Sequence, residues 1–124
     1  MVATLVLAGL MFAQAAQPAI TLESTPDRLD VGYRELVQQR PADAIERIAA
    51  NRSLEADDPA ALINLGTANA RLGNSDAALD HYRSAIVSRQ RYDLELADGR
   101  WMDSRAAARL AVKMLAKGEA LALR

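Results

Sequence analysis

The chain of 124 residues contains no cysteine, so it can form no disulfide, offers no thiolate nucleophile and cannot build a cysteine-based zinc site. Its stability must come from packing. Aromatic residues are scarce, with one tryptophan, three tyrosines and one phenylalanine, and a single histidine, His81, is the obvious candidate for acid–base work or metal ligation. The 15 basic and 16 acidic residues nearly cancel and neither sign forms a block, which leaves no electrostatic footprint for nucleic acid. The six glycines are scattered among helix ends, turns and the apolar N-terminal segment, and none of them forms a phosphate-cradling motif. What is present is the composition of one modest globular domain, 51% apolar and 25% charged.

Residues 1–16 read as a secretory signal peptide. No charged side chain occurs before Glu23, Val2 to Ala13 is apolar, and Ala13-Gln14-Ala15 fits a small-x-small cleavage pattern. The apolar stretch falls short of the roughly 20 residues that span a bilayer as a helix, and Pro18 interrupts any longer one. No stable membrane span is therefore expected once the signal is removed. Because no Lys or Arg precedes the apolar run, an uncleaved anchor or a buried helix stands as the alternative. The expected destination is the periplasm or the exterior.

After a polar linker over 17–24, Thr25-Pro26 supplies an N-cap followed by proline in the first helical turn, with Asp27 favourable near the positive end of the dipole. Leu29, Tyr33, Leu36 and Val37 then recur at helical spacing as far as Gln38, where Arg40-Pro41 breaks the pattern. A second helix starts at Pro41 and places Ala44, Ile45, Ile48 and Ala49 on one stripe. Asp58-Pro59 repeats the cap-plus-proline start, and Leu72-Gly73-Asn74 closes the third helix with the glycine that a left-handed C-terminal turn favours. The fourth helix, from Asn74 or Ser75, carries Ala78, Leu79, Tyr82, Ala85 and Ile86 on one face and Asp76, Asp80, Arg83 and Arg89 on the other.

These four helices contain a self-repeat. Val31-Gly32 recurs as Leu65-Gly66 and Ala44-Ile45 as Ala78-Leu79, both pairs displaced by the same interval, which is the period of a helix-turn-helix repeat. Residues 59–92 resemble the tetratricopeptide repeat family: Leu62, Leu65, Gly66, Ala78, Tyr82 and Ala85 stand where that family packs its two helices. Asn69 stands where an aromatic is usual and Gln90 where the closing proline is usual. Residues 25–58 match more weakly through Val31, Gly32 and Ala44, with Ile48 in place of the aromatic and Asn51 in place of the last alanine.

The C-terminal part departs from the repeat. Tyr92, Leu94 and Leu96 alternate with Asp93 and Glu95 around an Asp98-Gly99 turn, which predicts a β-hairpin over 91–103 with Trp101 folding back onto Leu94 or Leu96. Asp103 or Ser104 then caps a fifth helix over 104–124, with Ala107, Leu110, Ala111, Met114 and Leu115 on one side and Arg105, Arg109, Lys113 and Lys117 largely elsewhere. The expected fold is all-α: a solenoid of about two helical hairpins over 25–90, a short β-hairpin and a capping helix.

The family resemblance implies a right-handed superhelix whose first helices line a concave binding surface. In the second unit that surface is Ala60, Ile63, Asn64, Thr67, Ala70 and Arg71, where an Asn amide and a guanidinium fork suit a peptide backbone or a carboxylate. The corresponding face of the first unit, Leu29, Tyr33, Leu36 and Val37, is either a greasier part of the groove or core. The family's carboxylate clamp is not reproduced. Trp101, flanked by Asp98, Arg100, Asp103 and Arg105, is either part of a structural junction of paired charges or a second candidate platform, for a sugar or a partner.

No catalytic constellation emerges. Asp80 beside His81 points about 100° away around the helix, and Ser84 at i+3 lacks an orienting carboxylate for a base. The expectation is a non-catalytic module without cofactor or metal that binds a protein or peptide in the cell envelope, the alternative being a self-associating structural protein. Two repeats are fewer than the three that usually bury a continuous core, which is what makes a homo-oligomer the competing outcome.

Overall fold

The computed structural model describes residues 30–118, so the expected signal peptide over 1–16, the linker over 17–24 and residues 119–124 lie outside the described residues. Within them the chain is mostly helical. The elements are α1 (Tyr33–Val37), α2 (Pro41–Ala50), α3 (Pro59–Arg71), α4 (Ser75–Val87), β1 (Asp93–Glu95), β2 (Trp101–Asp103) and α5 (Ser104–Ala116). In space α3 lies between α2 and α4, α1 packs on both α2 and α3, and α5 closes the far side against α4 and α3.

The helix starts follow local chemistry. Asp58 caps α3 by accepting from the Ala61 amide at 2.9 Å, and Asp103 caps α5 by accepting from the Arg105 and Ala106 amides at 3.1 Å. Pro41 and Pro59 occupy the first helical positions, where a missing N–H costs nothing.

The first helix is shorter than its sequence pattern predicts. Residues 30 and 31 are not helical, and Gly32 turns the chain with φ of +74° before α1 begins. An ideal Cβ at Gly32 would stand 3.1 Å from the Ala44 carbonyl oxygen and 3.2 Å from the Ala44 Cβ, so this turn brings the backbone directly onto α2. Close approach across the helix pair, rather than helical continuity, decides the conformation. Arg47 ties the same region together, meeting the buried Glu35 carboxylate at 3.2 Å and Asp30 at 3.6 Å.

The repeat is visible in the hydrogen bonds themselves. Between α1 and α2 the amides of Gln38, Gln39, Arg40 and Ala44 donate to the carbonyls of Arg34, Leu36, Glu35 and Arg40; between α3 and α4 those of Leu72, Gly73, Asn74 and Ala78 donate to Ala68, Ala70, Asn69 and Asn74. These four bonds of the second turn are the four of the first moved along by one repeat period, donor and acceptor alike, and the second turn adds a bond from the Leu72 amide to the Asn69 carbonyl. Gln39 and Gly73 occupy the same left-handed position in the two turns, with φ of +58° and +83°. Only the second turn has the residue type that adopts this conformation without strain.

The core is continuous from α2 to α5. Ile48, Ala60, Ala61, Leu62, Ile63, Ala78, Tyr82, Ala85, Leu94, Leu96, Ala107, Ala108 and Ala111 are buried together, while Leu36, Ala44 and Ala68 form a smaller cluster under α1. Gly66 is where α3 meets the Tyr82 ring of α4. An ideal Cβ there would lie 2.6 Å from Cδ1 and 3.0 Å from Cζ of the fully buried Tyr82 ring, and nearer still to Cε1. The ring's hydroxyl is shared with Thr67 Oγ1 at 3.0 Å. A hydroxyl taken this deep needs such a partner, and burial pushes the Tyr82 phenol above its usual range.

The two strands pair antiparallel in the register Asp93 with Asp103, Leu94 with Met102 and Glu95 with Trp101, and Gly99 supplies the left-handed turn residue at φ +84°. Leu94 and Leu96 point into the core and Met102 packs against it. The register corrects one expectation. Trp101 sits opposite Glu95, on the face away from Leu94 and Leu96, and is 67% exposed.

Candidate functional site

The α3 face expected to receive a peptide is occupied within the fold. Ile63, Asn64 and Thr67 are fully buried. Ile63 belongs to the main core, Thr67 bonds Tyr82, and the Asn64 amide donates to the Val31 carbonyl at 2.9 Å. Arg71 donates to the Leu36 carbonyl at the end of α1, and Ala70 packs against the core. The amide and guanidinium that suit a peptide backbone on chemical grounds therefore hold this chain's own backbone. In the first unit Leu36 is buried, Tyr33 is half-buried beside it, and Val37 is exposed; Leu29 lies outside the described residues.

The open surface lies at the edge where the loops after α2 and α4 stack. Ser88 Oγ donates to the Asp57 carbonyl, and the Tyr92 hydroxyl donates to the Asp58 carboxylate at 2.7 Å, 34 positions away. Burial, and then the carboxylate beside it, hold the Tyr92 phenol far above its ordinary range. Gln90 completes this loop stack. Its Nε2 donates to Glu55 at 2.9 Å and to Asp57 at 3.0 Å, so one amide holds two carboxylates side by side. Asp57 is kept ionised, its pKa lowered first by the Gln90 hydrogen bond and then by the Arg89 guanidinium 3.5 Å away.

Above this stack is an open groove of about 660 Å³ lined by Glu55, Ala56, Asp57, Leu62, Ser84, Val87, Ser88 and Arg89. Its floor is apolar and its rim is charged. Val87 is 78% exposed, although the outward face of α4 is otherwise formed by Asp76, Asp80, Arg83 and Ser84. Arg105, on α5, donates to the Ser88 carbonyl at 3.1 Å, which joins the groove's lower edge to the hairpin and last helix.

The hairpin places Trp101 among paired charges. Arg91 bonds Asp103 at 2.6 Å and Arg100 bonds Asp98 at 2.7 Å; both carboxyls are held below their usual pKa, Asp103 by the Arg91 guanidinium and Asp98 by the Arg100 amide and side chain. These pairs stiffen the junction and leave the indole face open. His81 is half-buried on α4, and burial lowers its pKa, which favours the neutral ring. Among the described residues no group of three or more His, Cys, Asp or Glu side chains is placed to hold a metal ion, and no helix is long and apolar enough to cross a membrane.

No protein-family model, no curated protein and no solved structure matches the chain. The groove was missed in the sequence because its residues belong to separate segments, 55–57, 62 and 84–89. Two signals pointed to it: Val87 breaks the polar side of α4, and Gln90 replaces the proline expected at the close of the repeat.

Proposed function

We propose that this chain is a non-catalytic protein–protein interaction module of tetratricopeptide-like build, working in the cell envelope. The observation that carries this reading is the inter-helix turn that recurs one period further along the chain, with four donor and acceptor pairs displaced by the same interval. A helical hairpin that reuses one turn stacks its copies with a constant offset, which leaves an extended outer surface suited to recognition. The hairpin insertion and α5 take the place of a further repeat and cover the exposed end of the core.

Partner contact is assigned to the loop edge and the hairpin rather than to the α3 face. Val87 and Trp101 are large apolar side chains in water, and an aromatic with a polar edge is a common interface anchor. The competing reading, a self-associating structural protein of the envelope, draws on the same two side chains. Crosslinking pull-down from envelope extract with the full chain, run beside Val87→Glu and Trp101→Ala, separates the two. A partner captured by the parent and lost in the variants supports the module; capture of the chain alone, with mass that rises with concentration, supports self-association; no capture at all refutes both.

A further inference from the structure

We infer that the groove between α4 and the α2–α3 loop takes a partner segment in which a basic side chain neighbours an aliphatic one, the cation docking on Glu55 and Asp57 in place of Arg89. The inference rests on the interaction-module reading and names the chemistry of what is bound. Two carboxylates are held together by one neutral amide, and among the described residues Arg89 is the one cation within ion-pair distance of either, so their two negative charges meet one positive charge there. That cation is loosely held. The Arg89 side chain is 91% exposed and its Nε stands 3.5 Å from Asp57, well beyond the roughly 2.7–2.9 Å of a charge-assisted hydrogen bond. Gln90 cannot supply the missing charge, and it orients both carboxylates whether or not Arg89 is present.

The floor selects the rest of the ligand. Leu62 and the exposed Val87 offer an apolar bed beside the carboxylates, the arrangement in which a Lys or Arg stem lies on hydrocarbon while its head reaches an anion. An acidic segment would meet Glu55 and Asp57 as like charges, and a wholly apolar one would strip water from them without a partner. Arg89 thus acts as an internal placeholder. Its removal should open the site.

The test is fluorescence polarisation of the full chain with a labelled, end-capped heptapeptide bearing a central arginine between two leucines, compared with the same peptide carrying glutamine or glutamate at the centre. Binding should follow arginine over glutamine over glutamate and weaken with added salt. Asp57→Asn and Glu55→Gln should each weaken the arginine peptide by about two- to fivefold, the range for one exposed ion pair, and Val87→Ser should weaken all three peptides. Arg89→Ala should strengthen the arginine peptide, a gain that a merely structural Arg89 would not produce. Glu55, Val87 and Arg89 are exposed and Asp57 is half-buried, and melting curves matching the parent's show that the fold is kept. Absence of binding, equal affinity for the three peptides, or weaker binding by Arg89→Ala overturns the inference. Capture of an envelope partner that is lost in Val87→Glu yet unchanged in Asp57→Asn overturns it while leaving the module reading standing.

Discussion

Replacing Gly66 by alanine should cost the fold about 1–3 kcal/mol, even though alanine is the better helix former. In the middle of α3 the substitution gains about 1 kcal/mol of helix propensity. Against that, the added methyl would lie 2.6 Å from Cδ1 and 3.0 Å from Cζ of Tyr82, a ring with no solvent on any side to retreat into. Overpacking of this kind costs about 1–3 kcal/mol and occasionally more. If the ring tilts away it also weakens the bond to Thr67 Oγ1, worth about 1 kcal/mol. For a domain of this size the net loss corresponds to a melting temperature lower by roughly 4–20 °C. Urea unfolding followed by far-UV circular dichroism measures it. The reasoning also requires the loss to persist in a Tyr82→Phe background, which keeps the ring, and to shrink in Tyr82→Leu, which removes it. A neutral or stabilising Gly66→Ala, or an equal loss in the Tyr82→Leu background, would refute the assignment of Gly66 as a contact-forced glycine.

The two equivalent turns should respond in opposite directions: Gln39→Gly relieves a left-handed non-glycine residue and stabilises by roughly 1 kcal/mol, while Gly73→Ala imposes the same strain and costs about 1–2 kcal/mol, both read from denaturant midpoints. Asp58→Ala should cost about 2–3 kcal/mol, because it removes the α3 cap and leaves the Tyr92 hydroxyl without its acceptor; Tyr92→Phe should cost less, since the cap survives. On acidification, Asp57, Asp98 and Asp103 have folded pKa values below the unfolded one, so their stabilisation is complete above the ordinary carboxylate range and is lost as pH falls through the lowered values. Asp103→Asn keeps a good cap residue and should flatten the stability profile below about pH 4. An unchanged acid slope in that variant would count against the Arg91 pairing as its source.

Much of the helical plan was legible because its signals are local. Asp58-Pro59, Pro41, Leu72-Gly73-Asn74 and the Asp98-Gly99 turn each act within a few residues, and each marks a boundary that the structure keeps. The first helix was overestimated because apolar spacing at Leu29, Tyr33 and Leu36 is blind to Gly32, whose left-handed turn is set by contact with Ala44 from the next element. The α3 face was misjudged in a similar way. Asn64 and Arg71 carry groups suited to a foreign peptide, and spacing alone does not reveal that the carbonyls of Val31 and Leu36 already stand in front of them.

By itself, then, the sequence determined the starts of α2, α3, α4 and α5, the stop of α3, the repeat interval and the hairpin turn, since capping, proline placement and the glycines at 73 and 99 act through neighbours along the chain. Only the tertiary structure decided which groups were consumed within the fold and which face solvent. Buried amides and guanidinium groups must be satisfied, so the packing of α1 onto α3 consumed one set, while the stacking of two distant loops through Gln90 left Glu55, Asp57 and Val87 open to solvent at the groove.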